Sequence, residues 1–327
     1  MSLNKMLAAC AITVSLAGAS LAVQAKELRL GLIVTNTHAW TKAAEAMGKE
    51  LSEKSQGKYS VTLFPAGQLG NEARMLQQLQ TGALDMAFMT VAEITNRVPD
   101  FGALFAPYLV NNVKESGELL NGPTAQKLLE RLPREVGAVG VGYGAATMRL
   151  MLNAYPTNSV ADIKGRKMRI TPFPPMRDFY QLLGAASTPM PITDVYDSLA
   201  NGQVDGVDTD AEQTWLLKFH DRAQTVLYSR HMMFPVVGLV SNRLWQQLPP
   251  ADRELIGSTA KKHLNGLFDS YMKVEEEMVA HIKASKVQVS EVGPEFFGDV
   301  LAQWEKTWLQ RAPVLADLRK EAAAIKR

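Results

Sequence analysis

Five histidines, His38, His220, His231, His263 and His281, are the side chains of this chain best suited to metal binding or to proton transfer near neutral pH. None sits in a His-Glu-x-x-His motif or in a close pair at metal-ligand spacing. Asp205, Asp208 and Asp210 crowd together, but the glycine and distal glutamate of a calcium loop do not follow at the required spacing. A nucleophile elbow, a phosphate-binding glycine loop and a catalytic cysteine are all missing. The catalytic reading that survives is a carboxylate base at Asp208, Asp210 or Glu72, in a hydrolase or isomerase. Acidic residues at strand ends are common without any such role, so binding without turnover is the better expectation, with no cofactor and no metal.

The elements that would carry these residues alternate. Leu28 to Val34 reads as a buried strand, Thr37 to Lys54 as a helix and Tyr59 to Phe64 as a strand closed by Pro65. Asn71 can cap a helix whose apolar stripe is Met75, Leu76 and Leu79 and whose stop is Gly82; Leu84 to Met89 follows as a strand. Strand and helix in alternation imply a parallel sheet covered by helices. The pattern returns with strands at Val136 to Val141, Lys167 to Thr171 and Val204 to Val207. Before the last of these, Ile192, Val195, Tyr196 and Leu199 share one helical face that stops at Gly202. Two segments match in register, Leu79-Gln80-Thr81-Gly82-Ala83-Leu84-Asp85 and Leu199-Ala200-Asn201-Gly202-Gln203-Val204-Asp205. Helix-to-strand loops favour glycine in any case. A shared leucine, glycine, aliphatic residue and aspartate point further, to an internal repeat and two similar lobes around a cleft. Pro235 to Val240 is one more strand. Ala251 to His281 reads as one helix of about 30 residues, about 45 Å long, enough to brace both lobes. Pro294 to Arg327 is helical.

The chain has 327 residues, 46% hydrophobic and 21% charged, with a net charge of +2. That is the balance of a globular protein and gives no electrostatic basis for nucleic-acid binding. Lys5, the apolar Met6 to Val23 run and the small-x-small site Val23-Gln24-Ala25 read as an export signal over residues 1–25. The single cysteine, Cys10, falls inside it, so the exported form would lack thiols and disulfides. One lobe is expected over residues 26–150 plus about 238–280, the other over 151–237 plus about 281–327.

Three sets of residues carry a resemblance. The first is Phe64-Pro65-Ala66-Gly67-Gln68-Leu69-Gly70-Asn71-Glu72 with Gly82-Ala83-Leu84-Asp85-Met86. The second is Ile163-Lys164-Gly165-Arg166-Lys167-Met168-Arg169. The third is Leu183-Gly184-Ala185, Thr188-Pro189-Met190-Pro191, Val195-Tyr196 and Val204-Asp205-Gly206. In this order and spacing they resemble the periplasmic solute-binding subunits of tripartite ATP-independent periplasmic (TRAP) transporters. The resemblance implies a two-lobed periplasmic binding protein fold (type II-like) of α/β class, each lobe a sheet flanked by helices, with a long helix bracing both. It implies a monomer that binds a small carboxylate in the periplasm and hands it to membrane permease subunits. A sensor-linked binding protein is the variant reading.

By the same resemblance Arg169 salt-bridges the ligand carboxylate and Arg149 supports it. On a strand, Lys167, Arg169 and Thr171 share one face while Met168 and Ile170 take the other. A guanidinium suits a carboxylate because it donates two parallel hydrogen bonds and stays charged. Sialic-acid-binding members carry an asparagine in Asp-Gly-x-Glu-Asn-Pro, where this chain has Asp205-Gly206-Val207-Asp208-Thr209-Asp210. Thr209, Asp210, Thr90, Glu72 and Phe173 complete the expected ligand contacts. Ile33 stands where those members have a polar contact, which argues against a sialic acid. Met148, Phe173, Met176, Ile192 and Met232-Met233-Phe234 suggest a ligand with an apolar or aromatic body.

Overall fold

The computed structural model describes residues 25–326. The expected export signal, with Cys10, therefore lies outside the described residues except for Ala25. The strands, in chain order, are β1 (Lys26–Leu32), β2 (Tyr59–Phe64), β3 (Met86–Thr90), β4 (Ala138–Ala145), β5 (Arg149–Asn153) and β6 (Lys167–Ile170). They continue with β7 (Ala186–Pro189), β8 (Gly206–Asp210), β9 (Thr225–Tyr228), β10 (Pro235–Ser241) and β11 (Gln288–Glu291). One sheet has the order β2-β1-β3-β10-β4 and the other β11-β9-β5-β8-β6-β7. The expected α/β architecture of two sheets flanked by helices is present.

Within each sheet a parallel β-α-β-α-β unit forms one end. β1 pairs in parallel with β2 and β3, and β6 pairs in parallel with β7 and β8. The crossovers use the helices Ala39–Lys54 and Glu72–Thr81 in the first unit, and Pro174–Leu182 and Val195–Ala200 in the second. Asn71 caps Glu72–Thr81 by accepting the Arg74 N–H at 3.0 Å, and Gly82 ends it at φ 78°. The second half of the repeat motif ends in the same way, with Gly202 at φ 68°.

The chain then exchanges sheets three times, the last between β10 and β11. It leaves β4 at Ala145 and enters β5 at Arg149; it leaves β9 at Tyr228 and returns to the first sheet at Pro235. These two crossing segments bond to each other, Ala146 N–H to Phe234 O at 3.0 Å and Arg149 N–H to Met232 O at 2.9 Å. The long helix Pro250–Ala284 packs on β4 and Ala39–Lys54 on one side and on Ala211–Leu216 and β11 on the other, so it touches both sheets. The helix Val300–Arg311 packs on Pro174–Leu182, whereas Leu315–Ile325 packs on Val113–Leu120 and Pro123–Glu135 beside the first sheet. An apolar core built on the first sheet reaches Phe105, Phe173 and Phe234 at the crossing; a smaller one holds Leu150, Leu152, Val207, Phe219 and Val226 against the second.

Candidate functional site

Where the two sheets face each other, a cavity of about 350 Å³ opens between the ends of β1, β3, β6 and β8. Ends of parallel strands are where α/β folds place ligands, because the crossover helices begin there. Five of the seven expected site residues line the cavity: Glu72, Thr90, Arg149, Arg169 and Asp210.

Arg149 opens β5 opposite Asp210 on β8. Its Nε donates to Asp208 Oδ1 at 2.6 Å, its Nη1 to Asp210 Oδ2 at 3.3 Å, and its guanidinium lies 4.3 Å from the centre of the Phe234 ring. Nη2 lies 2.5 Å from Asp208 Oδ1 as well. Asp208 is fully buried and also receives the Tyr180 hydroxyl at 2.8 Å, with His231 Nε2 at 3.0 Å. Burial works against its ionisation, but Arg149, His231 and Tyr180 outweigh burial and hold its carboxyl below the usual range.

Arg169 differs in one respect. Nε and Nη2 donate to Met190 O at 3.1 and 2.9 Å, and Nη1 donates to Asp208 O at 3.0 Å. Those acceptors are carbonyls, which orient a guanidinium without neutralising it. No carboxylate among the described residues lies within ion-pair distance of Arg169. The side chain is only 2% exposed. Burial, and then the neighbouring Arg149, push it down to about 9, so the group is still a cation at neutral pH.

Across the cavity Glu72 accepts from Thr90 twice, from N–H and from Oγ1, at 2.6 Å each. Burial pushes its carboxyl up to about 7 against those two bonds. Asp210 caps the helix Ala211–Leu216 by accepting the Gln213 N–H at 2.9 Å, and burial raises its carboxyl despite Arg149. Thr171 lines the cavity two residues after Arg169, as strand alternation requires, together with Pro172, Pro191, Asn96 and Gln213. Ile33, Trp40, Ile192 and Phe234 provide apolar wall.

Two expected contacts lie elsewhere. Thr209 stands opposite Leu150 on β8, between two aspartates that turn to Arg149; alternation sends its side chain to the other face, with Val207 and the smaller core. It is fully buried and its Oγ1 has no partner. Phe173 packs one layer behind the wall, 4.4 Å from Phe105 and 6.1 Å from Phe234 between ring centres. Met148, Met176, Met232 and Met233 are likewise core, so of that group only Ile192 and Phe234 reach the cavity. Asp208, considered as a base, is enclosed by its donors and does not line the cavity.

The sequence reading missed Trp40, Gln213 and His231. Gln213 had a signal, since Asp210-Ala211-Glu212-Gln213 has an acidic cap followed three residues later by glutamine. Trp40 is set by its indole N–H bond to Ala145 O at 3.0 Å, a partner far along the chain that no local pattern shows.

Known proteins resemble this arrangement. A solute-binding protein of Roseobacter denitrificans is 27% identical over 80% of this chain and 82% of its own. The sialic acid-binding periplasmic protein SiaP of Vibrio cholerae is 24% identical over 81% and 83%. The crystal structure of a TRAP periplasmic solute-binding protein from a Bradyrhizobium species, in complex with galacturonate, superposes with a TM-score of 0.85 at 26% identity, covering 90% of this chain and 100% of that one. A sugar acid binding protein of Advenella mimigardefordensis in complex with galactonate gives a TM-score of 0.88 at 24% identity, over 92% and 99%. The family model described as bacterial extracellular solute-binding protein, family 7 (DctP) matches residues 30–310. The chain belongs to that family, the solute-binding proteins of TRAP transporters.

Proposed function

We propose that this protein binds a small monocarboxylate in the periplasm through Arg169 and delivers it, as a monomer, to the membrane permease of a TRAP transporter. The observation that carries the reading is the buried Arg169 cation at the cavity wall, bonded to carbonyls and lacking a carboxylate among the described residues. A buried charge without a counter-ion is costly, and a ligand carboxylate would supply one. Arg149, which lines the same cavity, supports a second contact to that carboxylate. A cavity of about 350 Å³ suits a molecule of roughly ten heavy atoms rather than a large one.

Polar side chains around the rest of the cavity are largely engaged with one another. Glu72 holds Thr90, Asn96 bonds Glu93 and Pro172 O, and Gln213 meets His38. A ligand hydroxyl facing Ile33, Ile192 or Phe234 without a partner would cost about 1–3 kcal/mol. We therefore favour an acid with an apolar or aromatic body and at most one hydroxyl or keto group beside the carboxylate. The second reading, a hydroxylated sugar acid, is favoured by the galacturonate and galactonate held by the structural relatives. A thermal-shift screen of aromatic and branched 2-oxo and 2-hydroxy acids beside uronic and aldonic acids, followed by calorimetry, tests both. A ligand at 100 times its Kd stabilises the fold by about 2.7 kcal/mol. Sub-micromolar binding of a sugar acid with silence from the apolar acids overturns the first reading, and silence from every acid overturns the carboxylate itself.

A further inference from the structure

Outside the ligand cavity, a second buried polar cluster joins three elements. Glu212, in the first turn of the helix Ala211–Leu216, accepts the Ala39 N–H on Oε1 at 2.9 Å and the Tyr271 hydroxyl on Oε2 at 2.7 Å. His38 Nε2 lies 3.0 Å from Oε2. His38 Nδ1 accepts the Trp40 N–H as the cap of Ala39–Lys54, so in the neutral ring the proton sits on Nε2, which faces both Glu212 and the Gln213 amide, the latter at 3.2 Å. Burial pushes His38 down to about 3 and so keeps the ring neutral. The carboxylate thus takes donors from the first lobe and from the long helix while belonging to the second lobe. Its chain neighbour Gln213 lines one wall of the ligand cavity, and Trp40, beside Ala39, lines the facing wall.

We propose that Glu212 is a positioning residue that ties the two lobes together at the long helix and fixes the spacing of the two cavity walls. The Ala39 N–H and the Tyr271 hydroxyl, from different elements, converge on this one buried carboxyl. A protonated carboxyl keeps acceptor capacity for both bonds and loses the charge that burial opposes. Burial pushes Glu212 up to about 7, opposed by Tyr271 and Ala39. The charged groups around it are Asp210 on its own helix, His38 and Lys42 at the start of Ala39–Lys54, and Tyr271, Lys262 and His263 on the long helix. Lys262 and His263 are engaged by Glu50, and Lys42 by Glu45. Opening the tie would hydrate the carboxyl and return it toward 4.5, so the tie should loosen as pH rises toward about 7.

The test needs no ligand, so its outcome is independent of the carboxylate reading. Spin labels at Lys127→Cys on Pro123–Glu135 and Asp197→Cys on Val195–Ala200, in the full chain with Cys10→Ala, report the interlobe distance by double electron–electron resonance. Both labelled positions are exposed and lie on opposite lobes. From about pH 5 to about pH 8 the distance distribution of the otherwise native chain should broaden, with its midpoint between about 4.5 and about 7. Glu212→Gln, which cannot ionise, should stay narrow throughout, with the pH response lost. Tyr271→Phe removes one donor and should move the midpoint to higher pH. Circular dichroism establishes that each variant is folded, and should Glu212→Gln not fold, Tyr271→Phe decides by the midpoint alone. An unchanged distribution across this range overturns the proposal. So does a native-like response in Glu212→Gln, or an unmoved midpoint in Tyr271→Phe.

Discussion

The β1-to-β3 and β6-to-β8 units share a backbone and differ in what they hang on it. In both, an aspartate after the glycine stop accepts a backbone N–H from the first strand: Asp85 from Arg29 at 2.9 Å, Asp205 from Lys167 at 2.8 Å. The turns match as well, Ala83 N–H to Gln78 O and Gln203 N–H to Ser198 O at 2.9 Å each. Strand registers agree, Leu30 beside Met86 and Met168 beside Gly206. Counting forward from these pairs sets Gly31 against Arg169, Phe88 against Asp208 and Thr90 against Asp210. The antiparallel neighbour completes the set, with Val236 opposite Thr90 where Arg149 is opposite Asp210. One lobe thus keeps an uncharged strand end and the other carries two guanidiniums and two carboxylates at the same places. A repeated backbone supplies the scaffold, and a handful of positions in one copy supply the anion site.

Breaking the charged copy should cost most. Asp208→Ala removes one partner from Arg149, Tyr180 and His231 together, all of them buried. Stranding buried charge is expensive, and a loss of about 3–5 kcal/mol in urea-unfolding stability is expected. A loss below about 1 kcal/mol would mean that the network is not what holds this strand end.

Next comes ligand affinity. With an acid identified by the screen, Arg169→Ala should weaken binding by about 3 kcal/mol, roughly a hundredfold, because the carboxylate is left desolvated and unpaired. Arg169→Lys should recover little, since an ammonium cannot reproduce the fork that spans Met190 O and Asp208 O. Calorimetry giving Arg169→Ala an affinity within about threefold of the native protein would assign the anion to Arg149 instead.

Each lobe also holds one carboxyl that burial pushes up from its ordinary 4.5 to about 7, Glu72 in the first and Glu212 in the second. Between those values the folded chain retains protons that the unfolded chain has released. Their contribution to stability should therefore decline as pH rises from about 4.5 to about 7, by at most about 1.4 kcal/mol per pH unit for each group. Acids held low, such as Asp208 and Glu50, titrate below that window. Urea midpoints across the window should flatten in Glu72→Gln and again in Glu212→Gln; a native-like slope in both would place the titration elsewhere.

How much of this was legible in the sequence depended on the range of the interaction. Caps, stops and periodic strands are local, and they placed the α/β units, the long helix and the repeat. Strands β5, β7, β9 and β11 have at most five residues each and carry no pattern strong enough to read. Thr209 was misplaced although the means to place it were local. Once Asp210 is set toward the cleft, a two-residue period sends Thr209 to the opposite face. The apolar residues near the arginines could not be sorted into wall and core, because that division is made by the crossing of the two sheets. The Glu212 tie was invisible for the same reason, its partners Ala39 and Tyr271 being 173 and 59 residues away.

The smallest effect tests the repeat itself. Gly82 and Gly202 occupy the same place in the two copies, at φ 78° and 68°, a left-handed conformation that strains any residue with a side chain. A Cβ on Gly202 meets nothing within 4 Å, so Gly202→Ala should show the backbone cost alone, about 1 kcal/mol. A Cβ on Gly82 comes within 3.3 Å of the Arg243 side chain, which is long and can move aside. Gly82→Ala should therefore cost the same amount plus a few tenths of a kcal/mol at most. Asparagine, which tolerates this conformation better than alanine, should recover part of the loss at both sites. If the two alanine variants differ by more than about 1 kcal/mol in urea unfolding, the two turns are not energetic equivalents. The repeat would then be a likeness of path without a likeness of strain.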